Sequence, residues 1–526
     1  MIENYEDFNK EEIAVLDDYV TDVKSNVFGL KNLPEVVKGA LFSKYSRSSL
    51  GLRALLLKDF IGDNDQPLDV KRGEDFYDRI LDGYGDDSIG ELGGAHLAIE
   101  GISMIAAKAI EDARIGGSPL EKSTRYVSFD KKKNGEYLFY REPVIMASEF
   151  RDDYIGVCNN LFETYGELIN KLTVVTEKKY PKTNETSQSV YNTAIRAKVF
   201  DCLRGLLPSS ALTNVGLFGN GRFFETLIKK LTSTNLSELQ DIGRKGLNQL
   251  NKIIPSFIRK GDESHKHYKS YKNFINKTND YISKASKQIP PTPSSSNENG
   301  VRLIDYDKDS LVKVVAAILF SSTNHSLIDL QEYVRKLPPH EVEKILNSIG
   351  NLREGRRDKS PRGLEHAVFT FEIVSDFGAY RDLQRHRMLT QERQLLNCDL
   401  GYYVPEEILG TEMEKQYRNA IEVAKKAYDR ISKKFPEEGQ YIVPMAYNIR
   451  WYFCVNLRSL QWLCELRSSP HGHITYRKIA QSMAHQVFEV TPEFKTFFKF
   501  VNFDGCDLGR LNHEIQSENK KKRQNA

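Results

Sequence analysis

The sequence has no pair of cysteines at a metal-binding or redox spacing. Its six cysteines are scattered along the chain, and none forms a CxxC motif, which argues against a zinc ribbon or a thioredoxin-like site. Isolated thiols are typical of proteins in a reducing compartment. We therefore expect free cysteines, no metal centre and a cytoplasmic location.

Long apolar runs and a large excess of one charge are also missing. The longest hydrophobic stretches, such as 311–320, are short and contain Lys313, so no segment is expected to cross a bilayer. The acidic start of the chain lacks the apolar core of a signal peptide. A formal net charge of +3 argues against a strongly basic surface that binds nucleic acid along the whole protein. It is compatible with a local basic cleft for a phosphorylated ligand.

The 526 residues are enough for several domains. Residues 258–300 are polar and end in consecutive prolines and three serines, a composition that predicts an exposed linker. This linker would separate a first domain, 1–257, from a second domain, 301–510. We expect the charged residues 511–526 to form a frayed tail.

The two long segments contain the same features in the same order. The stretch 85–117 resembles 362–390, and 204–228 resembles 441–463. This order of matched features indicates a tandem duplication with strongly diverged copies. The mixture of apolar periodicities predicts an α+β fold with many helices.

The second copy has the clearer pattern of secondary structure. A short strand and a helix are expected after residue 301, then two helices separated by prolines, and a β-rich segment that turns into a helix near residue 377. Three further helices are predicted at 411–435, 444–465 and 474–490.

Arg385-His386-Arg387 forms the first cluster of possible functional residues. Two arginines around a histidine can bind a diphosphate or the electron-rich edge of a flavin through charge-assisted hydrogen bonds. The alternative is a basic helix end that complements the helix dipole.

The run SPLEKSTRY, residues 118–126, forms the second cluster. Its hydroxyl groups, its backbone N–H groups and Arg125, in a loop opened by glycines, suit a nucleotide phosphate. The alternative is an ordinary helix capping box made by Ser118 and Glu121.

Two further arginines and a histidine pair stand close to turns. Arg467 precedes a Ser-Ser-Pro turn, which places it well to face a cleft, and Arg204 is either a phosphate ligand or a plain surface arginine. His471 and His473 alone supply too few ligands for a metal site.

Taken together, these residues resemble the flavin-dependent thymidylate synthase family. The resemblance covers about 35–235 and 301–505. In the second copy it includes the Arg-His-Arg triplet, Tyr403-Val404-Pro405 and the run 455–460. In the first copy it includes the 118–126 run, Arg204 with Pro208, and Asn220-Gly221-Arg222.

The resemblance implies an enzyme with a helix-rich fold around a central antiparallel sheet, the two copies forming a pseudo-dimer. Its expected reaction is the reductive methylation of dUMP to dTMP with FAD as cofactor and with NADPH and methylenetetrahydrofolate as co-substrates. The family is normally a homotetramer, so the fused chain is expected to form a dimer, a pseudo-tetramer. No membrane or nucleic-acid partner is implied.

The two copies differ from the family in complementary ways. In the first copy the positions of the Arg-His-Arg triplet are Ala113-Arg114-Ile115, and the position of Arg467 is Leu231. In the second copy the nucleotide loop has become Leu395-Leu396-Asn397-Cys398, and the position of Arg204 is Gln440. We therefore expect one composite site made from both copies, and one dead site.

The resemblance also assigns roles by position. Arg467 is expected to be catalytic, at the pyrimidine ring, where its charge favours ionisation at N3. The residues implied for dUMP are Glu121, Lys122, Ser123, Thr124, Arg125, Arg204, Asp382 and Arg385. The residues implied for FAD are Arg385, His386, Arg387, Glu121, Ser88, Asn220, Arg222, Asn456 and Arg458.

Three positions depart from the family pattern. Asp382 replaces a glutamine, Leu120 replaces an asparagine, and an insertion leaves Ser360 and Arg362 as alternative flavin contacts. These departures leave two other functions open: a flavin-dependent methylase of another pyrimidine nucleotide, and a non-catalytic nucleotide- or RNA-binding protein on a degenerate fold.

Overall fold

Two compact units make up the described part of the chain. The computed structural model describes residues 8–61, 87–113, 115–184, 186–290 and 299–505, with residues 509, 511, 515 and 518. The first unit lies within Met1–Ile102, Ala106–Glu121 and Thr213–Pro291, and the second within Ser103–Ile105, Lys122–Leu212 and Thr292–Ala526. Residues 122–212, which belong to the first copy, are grouped with the second copy, and the domain boundaries 1–257 and 301–510 stay predictions.

The strands and helices are numbered here in chain order. The strands are β1 Gly94–Ser103, β2 Gly117–Glu121, β3 Lys132–Lys133, β4 Glu136–Tyr137, β5 Leu212–Asn220, β6 Gly300–Tyr306, β7 Val368–Asp376, β8 Thr390–Arg393 and β9 Asn448–Asn456. The α-helices are α1 Lys10–Tyr19, α2 Glu35–Tyr45, α3 Leu52–Phe60, α4 Met104–Glu111, α5 Pro143–Met146, α6 Arg151–Lys179, α7 Gln188–Leu203, α8 Gly221–Thr232, α9 Ser237–Leu250, α10 Pro255–Ile258, α11 Lys266–Ser286, α12 Ser310–Phe320, α13 Leu327–Lys336, α14 Pro339–Asn351, α15 Phe377–Leu383, α16 Glu412–Lys434, α17 Leu457–Arg467 and α18 Ile474–Val490. Short 3-10 helices span Asp87–Glu91, Arg204–Leu206, Arg259–Gly261, Arg362–His366, Glu406–Ile408, Glu438–Ile442 and Pro492–Phe498.

The same succession of elements occurs in both copies. A strand leads directly into a helix at β1–α4 and again at β7–α15, and the later pairs β5–α8 and β9–α17 correspond in the same way. The first unit contains the sheet β1-β5-β2, and the second contains the sheet β6-β7-β9-β8. The predicted duplicated, helix-rich fold with antiparallel sheets is confirmed.

Strand β9 corrects the prediction of a single helix over 444–465. It pairs antiparallel with β7, from Val368 opposite Asn456 to Asp376 opposite Asn448. The apolar residues alternate with period two, so that Ile449, Trp451 and Phe453 are buried on one face. The helix begins only at Leu457, where the Asn456 side chain accepts a hydrogen bond from Ser459 N at 2.9 Å.

Long helices from both copies pack together within the second unit. Helix α16 packs against α6, and it buries Tyr417, Ile421, Ala424 and Ile431, a spacing of three, four and seven residues that places them on one face. These residues are part of the hydrophobic core of this unit.

The two copies pair at equivalent positions of their chains. Pro208 forms an antiparallel bridge with Pro444, and the sequence offset between them, 444 − 208 = 236, equals the offset between Asn220 and Asn456, 456 − 220 = 236. Ser209 N donates to Val443 O at 2.9 Å, and Met445 N donates to Leu207 O at 2.9 Å. Contact between the same position of two copies is the pattern of an isologous dimer, here formed within one chain.

The segment 258–300, predicted as an exposed linker, contains a long helix. Helix α11 spans Lys266–Ser286, and Tyr268 is buried on it. The spacing of Tyr268, Tyr271 and Ile275 is helical, and no proline or glycine interrupts the segment. The Pro/Ser-rich residues 291–298 and the end of the tail, 519–526, lie outside the described residues.

Candidate active site

Helix α15 brings the second-copy residues to the site. Asp376 caps its start by accepting a hydrogen bond from Ala379 N at 2.9 Å, and the chain leaves the helix at Gln384. Asp382 therefore stands on the last turn, and Arg385, His386 and Arg387 follow the helix end. Because the carboxyl end of a helix favours cations, these residues are compatible with their position.

Arg204 lies at the start of a 3-10 turn after α7 and is only 4% exposed. Its Nη1 donates to Asp382 Oδ2 at 3.1 Å. Its Nε and Nη2 are buried and have no hydrogen-bond partner among the described residues. Gly378 makes room for this guanidinium group, since a Cβ there would lie 3.0 Å from Nη2. Arg204 is thus a buried cation that faces the second copy, and the surface-arginine interpretation is excluded.

Arg125 also reaches the second copy. Its guanidinium group forms a two-pronged ion pair with Asp201, with Nη2 donating to Oδ2 at 2.7 Å. Its Nη1 donates to Tyr476 Oη at 3.3 Å, and its Nη2 donates to the carbonyl oxygen of His471 at 3.4 Å. A residue of the first copy therefore contacts residues before and in α18 of the second copy.

Arg467, at the end of α17, is held by His386. The Arg467 Nε donates to His386 Nε2 at 3.1 Å. Burial, and then the charge of Arg467, hold the pKa of His386 well below its usual range, so this imidazole is neutral and accepts the hydrogen bond. The guanidinium carbons of Arg467 and Arg125 lie 5.6 and 5.9 Å from the centroid of the Tyr476 ring, within the range of a cation–π contact.

Asp382 is the point on which these cations converge. Burial alone would raise the pKa of its carboxyl group, but the guanidinium groups of Arg204, Arg385, Arg125 and Arg467 together hold that pKa far below its usual range. Asp382 is thus an anion among four arginines, two from each copy.

A large basic cleft adjoins this cluster in the second unit. Its volume is about 890 Å³, which is within the range of small-molecule sites. Six of the predicted residues line the cleft: Arg385, His386, Arg387, Asn456, Arg458 and Arg467.

The predicted flavin residues of the second copy are fixed by their neighbours. Arg458 donates from Nε to the carbonyl oxygen of Ser360 at 2.8 Å and pairs with Glu365 at 2.7 Å. Ser360 also lines the cleft, and its hydroxyl donates to Gln461 at 2.7 Å. Arg362 pairs with Glu365 and is not among the lining residues, so of the two alternatives Ser360 lies in the cleft.

The first-copy loop is only partly as expected. Residues 117–121 form strand β2 rather than a loop, which also excludes the capping box. Glu121 belongs to the first unit, where it accepts a hydrogen bond from buried Lys108 at 2.8 Å. In the second unit, Lys122 lies over the Phe129 ring, Ser123 Oγ accepts from Arg125 N at 3.2 Å, and Thr124 is buried. The side chain of Arg125 contacts the second copy.

The predicted flavin residues of the first copy lie in the first unit. Asn220 caps α8 by accepting from Phe223 N at 2.8 Å, and Arg222 pairs with Glu91 at 2.8 Å. The side chain of Ser88 and the whole of Arg114 lie outside the described residues. The roles assigned to Ser88, Asn220 and Arg222 stay predictions.

In the second copy, the residues at the positions of the lost nucleotide loop and of Arg204 contact neighbours from the same copy. Gln440, at the position of Arg204, is buried, and its Oε1 accepts hydrogen bonds from Leu396 N at 3.1 Å and from Arg393 at 3.4 Å. Leu396 and Cys398 are buried too. These contacts use apolar and amide groups where the intact loop has hydroxyl and guanidinium groups.

Two residues of the cluster were missed from the sequence. Asp201 holds Arg125, and Tyr476 lies against two arginines. An acidic residue three positions before Arg204 was a weak local signal for Asp201. Its contact with Arg125, however, joins positions 76 residues apart. Sequence gave no signal for Tyr476, whose role depends on how α18 packs.

Among the described residues, no group of three or more histidine, cysteine or acidic side chains is placed to hold a metal ion. His473 instead caps α18 and donates to the carbonyl oxygen of Asp201 at 3.1 Å. No helix in the described part of the chain has the length and apolar content needed to cross a membrane.

Comparison with known proteins now identifies the family. The sequence matches the Thymidylate synthase complementing protein family over residues 45–256 and again over 302–493. The chain belongs to this family. It carries the family domain twice, in agreement with the repeated order of strands and helices.

Relatives of two kinds are similar to this chain. A UPF0159 protein of Chlamydia muridarum is 53% identical, covering 98% of this chain and 99% of the relative. A UPF0159 protein of Thermoplasma acidophilum is 32% identical, covering 92% and 99%. A flavin-dependent thymidylate synthase of Clostridium tetani is 27% identical, covering 42% of this chain and 95% of the relative.

A solved structure of a UMP/dUMP methylase from Streptomyces cacaoi, bound with 5-Br dUMP, covers 38% of this chain and 95% of that chain. The TM-score is 0.31 at 19% identity, which is too low to carry an argument about this chain.

Proposed function

We propose that this protein is a FAD-dependent thymidylate synthase with one composite active site. In the proposed reaction dUMP, methylenetetrahydrofolate, NADPH and a proton give dTMP, tetrahydrofolate and NADP⁺. The observation that carries the proposal is the meeting of Arg125 and Arg204 from the first copy with Asp382 and Tyr476 from the second. Complementary losses in the two copies have left these residues on the two sides of one cluster.

Arg125 and Arg204 would bind the phosphate of dUMP. Both are largely buried cations, and Arg204 has two donor atoms without a partner among the described residues. A buried guanidinium group with open donors favours an oxyanion, because a charge-assisted hydrogen bond then satisfies donors that would otherwise be desolvated.

Arg467 would act at the pyrimidine ring. The neutral His386 takes only its Nε–H, which leaves the Nη groups for the carbonyl and N3 side of the base. A fixed positive charge there would stabilise negative charge that develops on the ring in the transition state. His386 would act as a positioning residue that orients Arg467.

The cleft is chemically suited to a flavin dinucleotide. Arg385 and Arg387 offer cations for a diphosphate, while Asn456, Ser360 and the apolar side chains of Met388 and Leu466 offer polar and apolar contacts for a ring system. When bound, the flavin would carry the hydride from NADPH to the one-carbon unit. The protein would hold the cofactor, the folate and dUMP in the positions that the reaction requires, and it would exclude water.

Asp382 keeps a second candidate open. Its carboxylate stands beside Arg204 at a position where the family has a glutamine, and because of this departure a methylase with a different pyrimidine nucleotide as substrate is the alternative. For either reaction we propose a dimer of fused chains, by analogy with the four-copy assembly of single-domain relatives.

A test of the proposal starts with the colour of the purified protein. It should bind FAD, show a flavin spectrum that NADPH bleaches, and convert dUMP to dTMP with methylenetetrahydrofolate. We expect Arg125→Ala and Arg467→Ala each to reduce kcat/KM by about 10²-fold or more. Turnover of UMP in place of dUMP would favour the alternative methylase.

Asn397→Ala is the matched control, because Asn397 stands in the second copy at the position of the lost loop. It should leave activity nearly unchanged. A protein that takes up no FAD, or a loss of activity in Asn397→Ala equal to that in Arg125→Ala, would contradict the proposed enzyme with a single site. A colourless protein that still binds nucleotides would favour the non-catalytic function.

A further inference from the structure

We infer that the loop 353–360 holds a second anion-binding subsite, formed by Arg356, Arg357 and Lys359, which takes the 2′-phosphoadenosine end of the reducing dinucleotide. The inference rests on the proposed function for the identity of the ligand. It goes beyond that function because it assigns a separate group of residues and a specificity for the phosphate monoester.

The loop is rigidly held. Arg353 is buried and pairs with Glu465 at 2.7 and 2.8 Å, and its Nε donates to the carbonyl oxygen of Asp358 at 3.0 Å. Asp358 in turn accepts from Glu354 N and Gly355 N at 2.8 and 2.7 Å. Because these bonds fix the backbone from both ends, the loop carries its other side chains at defined backbone positions.

The three cationic side chains of this loop have no acidic partner among the residues that the structure describes. Arg356, Arg357 and Lys359 all line the cleft, and in the described part of the chain their side chains form no ion pair and no hydrogen bond. The two acids of the cleft are engaged elsewhere, since Asp358 accepts from backbone N–H groups and Glu365 pairs with Arg458. Three uncompensated positive charges on a fixed loop favour a ligand with more than one negative charge.

This charge exceeds what a flavin diphosphate needs. The diphosphate carries about two negative charges, and Arg385 and Arg387 already face the same cleft. A phosphate monoester adds about −1.5 to −2 at neutral pH, which the loop cations would balance. Arginines of this kind are what distinguish dinucleotides with a 2′-phosphate from those without one.

An aromatic surface lies next to the cations. The guanidinium carbon of Arg356 is 5.6 Å from the Trp462 ring centroid, and Trp462 is 41% exposed in the cleft wall. Arg356 and Arg357 also line a second hollow of about 460 Å³ with Pro470 and Phe500. A base could stack on these flat groups while its phosphate meets the arginines.

The test is a titration that does not depend on turnover. 2′,5′-ADP and 5′-AMP are titrated calorimetrically into the full-length protein and into the double variant Arg356→Gln/Arg357→Gln. The unmodified protein should bind 2′,5′-ADP about tenfold or more tightly than 5′-AMP. The variant should lose this preference, keep its FAD content, and reduce its flavin with NADPH no faster than with NADH.

A double variant with the same loss of charge serves as control. Lys415→Gln/Lys434→Gln removes two exposed lysines of α16 and should keep the preference for 2′,5′-ADP. Loss of FAD from the arginine variant with an unchanged 2′,5′-ADP preference would assign the arginines to the flavin and overturn the inference. Unchanged binding of both 2′,5′-ADP and 5′-AMP in the arginine variant would overturn it too. Failure of the unmodified protein to bind any flavin would instead count against the proposed function, since 2′,5′-ADP binding is measured separately.

Discussion

Asp382 decides the electrostatics of the site at the scale of single residues. It pairs with Arg204 at 3.1 Å, and its side chain is 15% exposed. An internal carboxylate keeps the arginines in place and lowers the net positive charge that a substrate phosphate meets. The identity of this one residue therefore sets how tightly an anion can bind.

Asp382→Asn should bind dUMP more tightly, by about tenfold, because it removes a negative charge a few ångströms from the phosphate and keeps the side-chain shape. Binding of deoxyuridine, which lacks the phosphate, should stay the same. Both can be measured by calorimetry. Asp399→Asn, at an exposed position on the same unit, is the control. Weaker binding of dUMP would mean that the carboxylate is needed chiefly to position Arg204.

The resemblance to the flavin-dependent thymidylate synthase family predicted much of this cluster. The guanidinium groups of Arg125, Arg204 and Arg467 were expected to serve one site, and the structure places all three in one unit. The partners were not predictable, because Asp201 and Tyr476 meet Arg125 across 76 and 351 positions of sequence. Side-chain pairing over such separations depends on the packing of helices and not on local pattern.

At the scale of elements, the start of α18 ties the two copies together. His473 is 4% exposed, accepts from Thr475 N at 3.2 Å and donates to the carbonyl oxygen of Asp201 at 3.1 Å. Burial, and then the charge of Arg204, lower the pKa of His473 to about 3. The capping contact therefore requires a neutral imidazole.

This contact predicts how stability depends on pH. Between pH 3 and about 6.5 the unfolded chain binds a proton at His473 and the folded chain does not. Protonation therefore favours the unfolded chain in this range. The free energy of unfolding is unaffected by this group above about pH 6.5 and falls as the pH drops below it. This group lowers the free energy of unfolding by at most about 1.4 kcal/mol per pH unit. His473→Asn, which can still cap the helix, should show a smaller loss of unfolding free energy between pH 7 and 5, measured by urea denaturation.

His340→Gln is the control for this measurement, since the His340 side chain is 75% exposed. It should leave the pH dependence as it is. If His473→Asn lost stability with falling pH as steeply as the unmodified protein, the proposed role of His473 in that dependence would be wrong.

Element prediction worked where one periodicity dominated. The helices at 327–336, 339–351, 412–434 and 474–490 follow the predicted segments closely. It failed at 444–465, where the alternating residues of β9 run without a break into α17. A central strand is apolar over most of its length, so its pattern resembles that of a buried helix.

At the scale of the whole molecule, the two copies behave as two subunits joined in one chain. Pro208 meets Pro444 at equivalent positions, and residues 122–212 of the first copy pack with the second. In the proposed composite site, the fused chain would fix which copy supplies each side.

The contact between Arg125 and Tyr476 within one chain predicts the result of mixing variants. Arg125→Ala and Arg467→Ala chains, produced together, should not restore dTMP formation, because every site in the mixture lacks one of the two arginines. Sites shared between chains would instead recover about a quarter of the activity through intact pairings. A spectrophotometric assay of the co-purified chains, beside the unmodified protein, distinguishes the outcomes, and recovery would contradict a site formed within one chain.

Leu231 stands in the first copy at the position of Arg467. Its burial shows why the structure is needed to choose control variants. The side chain is 2% exposed, so Leu231→Ala would cost about 2–5 kcal/mol of stability whatever its relation to the site. The half-buried Asn397 is the better comparison.

The sequence by itself determined the duplication, the helices in which one periodicity dominates, and the residue types that differ between the two copies. These are properties of local pattern and of residue identity, which a linear chain displays directly. The tertiary structure alone decided that Arg204 is buried against Gly378, that Asp382 lies among four arginines, and that Arg356, Arg357 and Trp462 share a cleft with the Arg-His-Arg triplet. These depend on distances and burial between distant segments, because the charge on a side chain acquires its effect only from the groups that folding places around it.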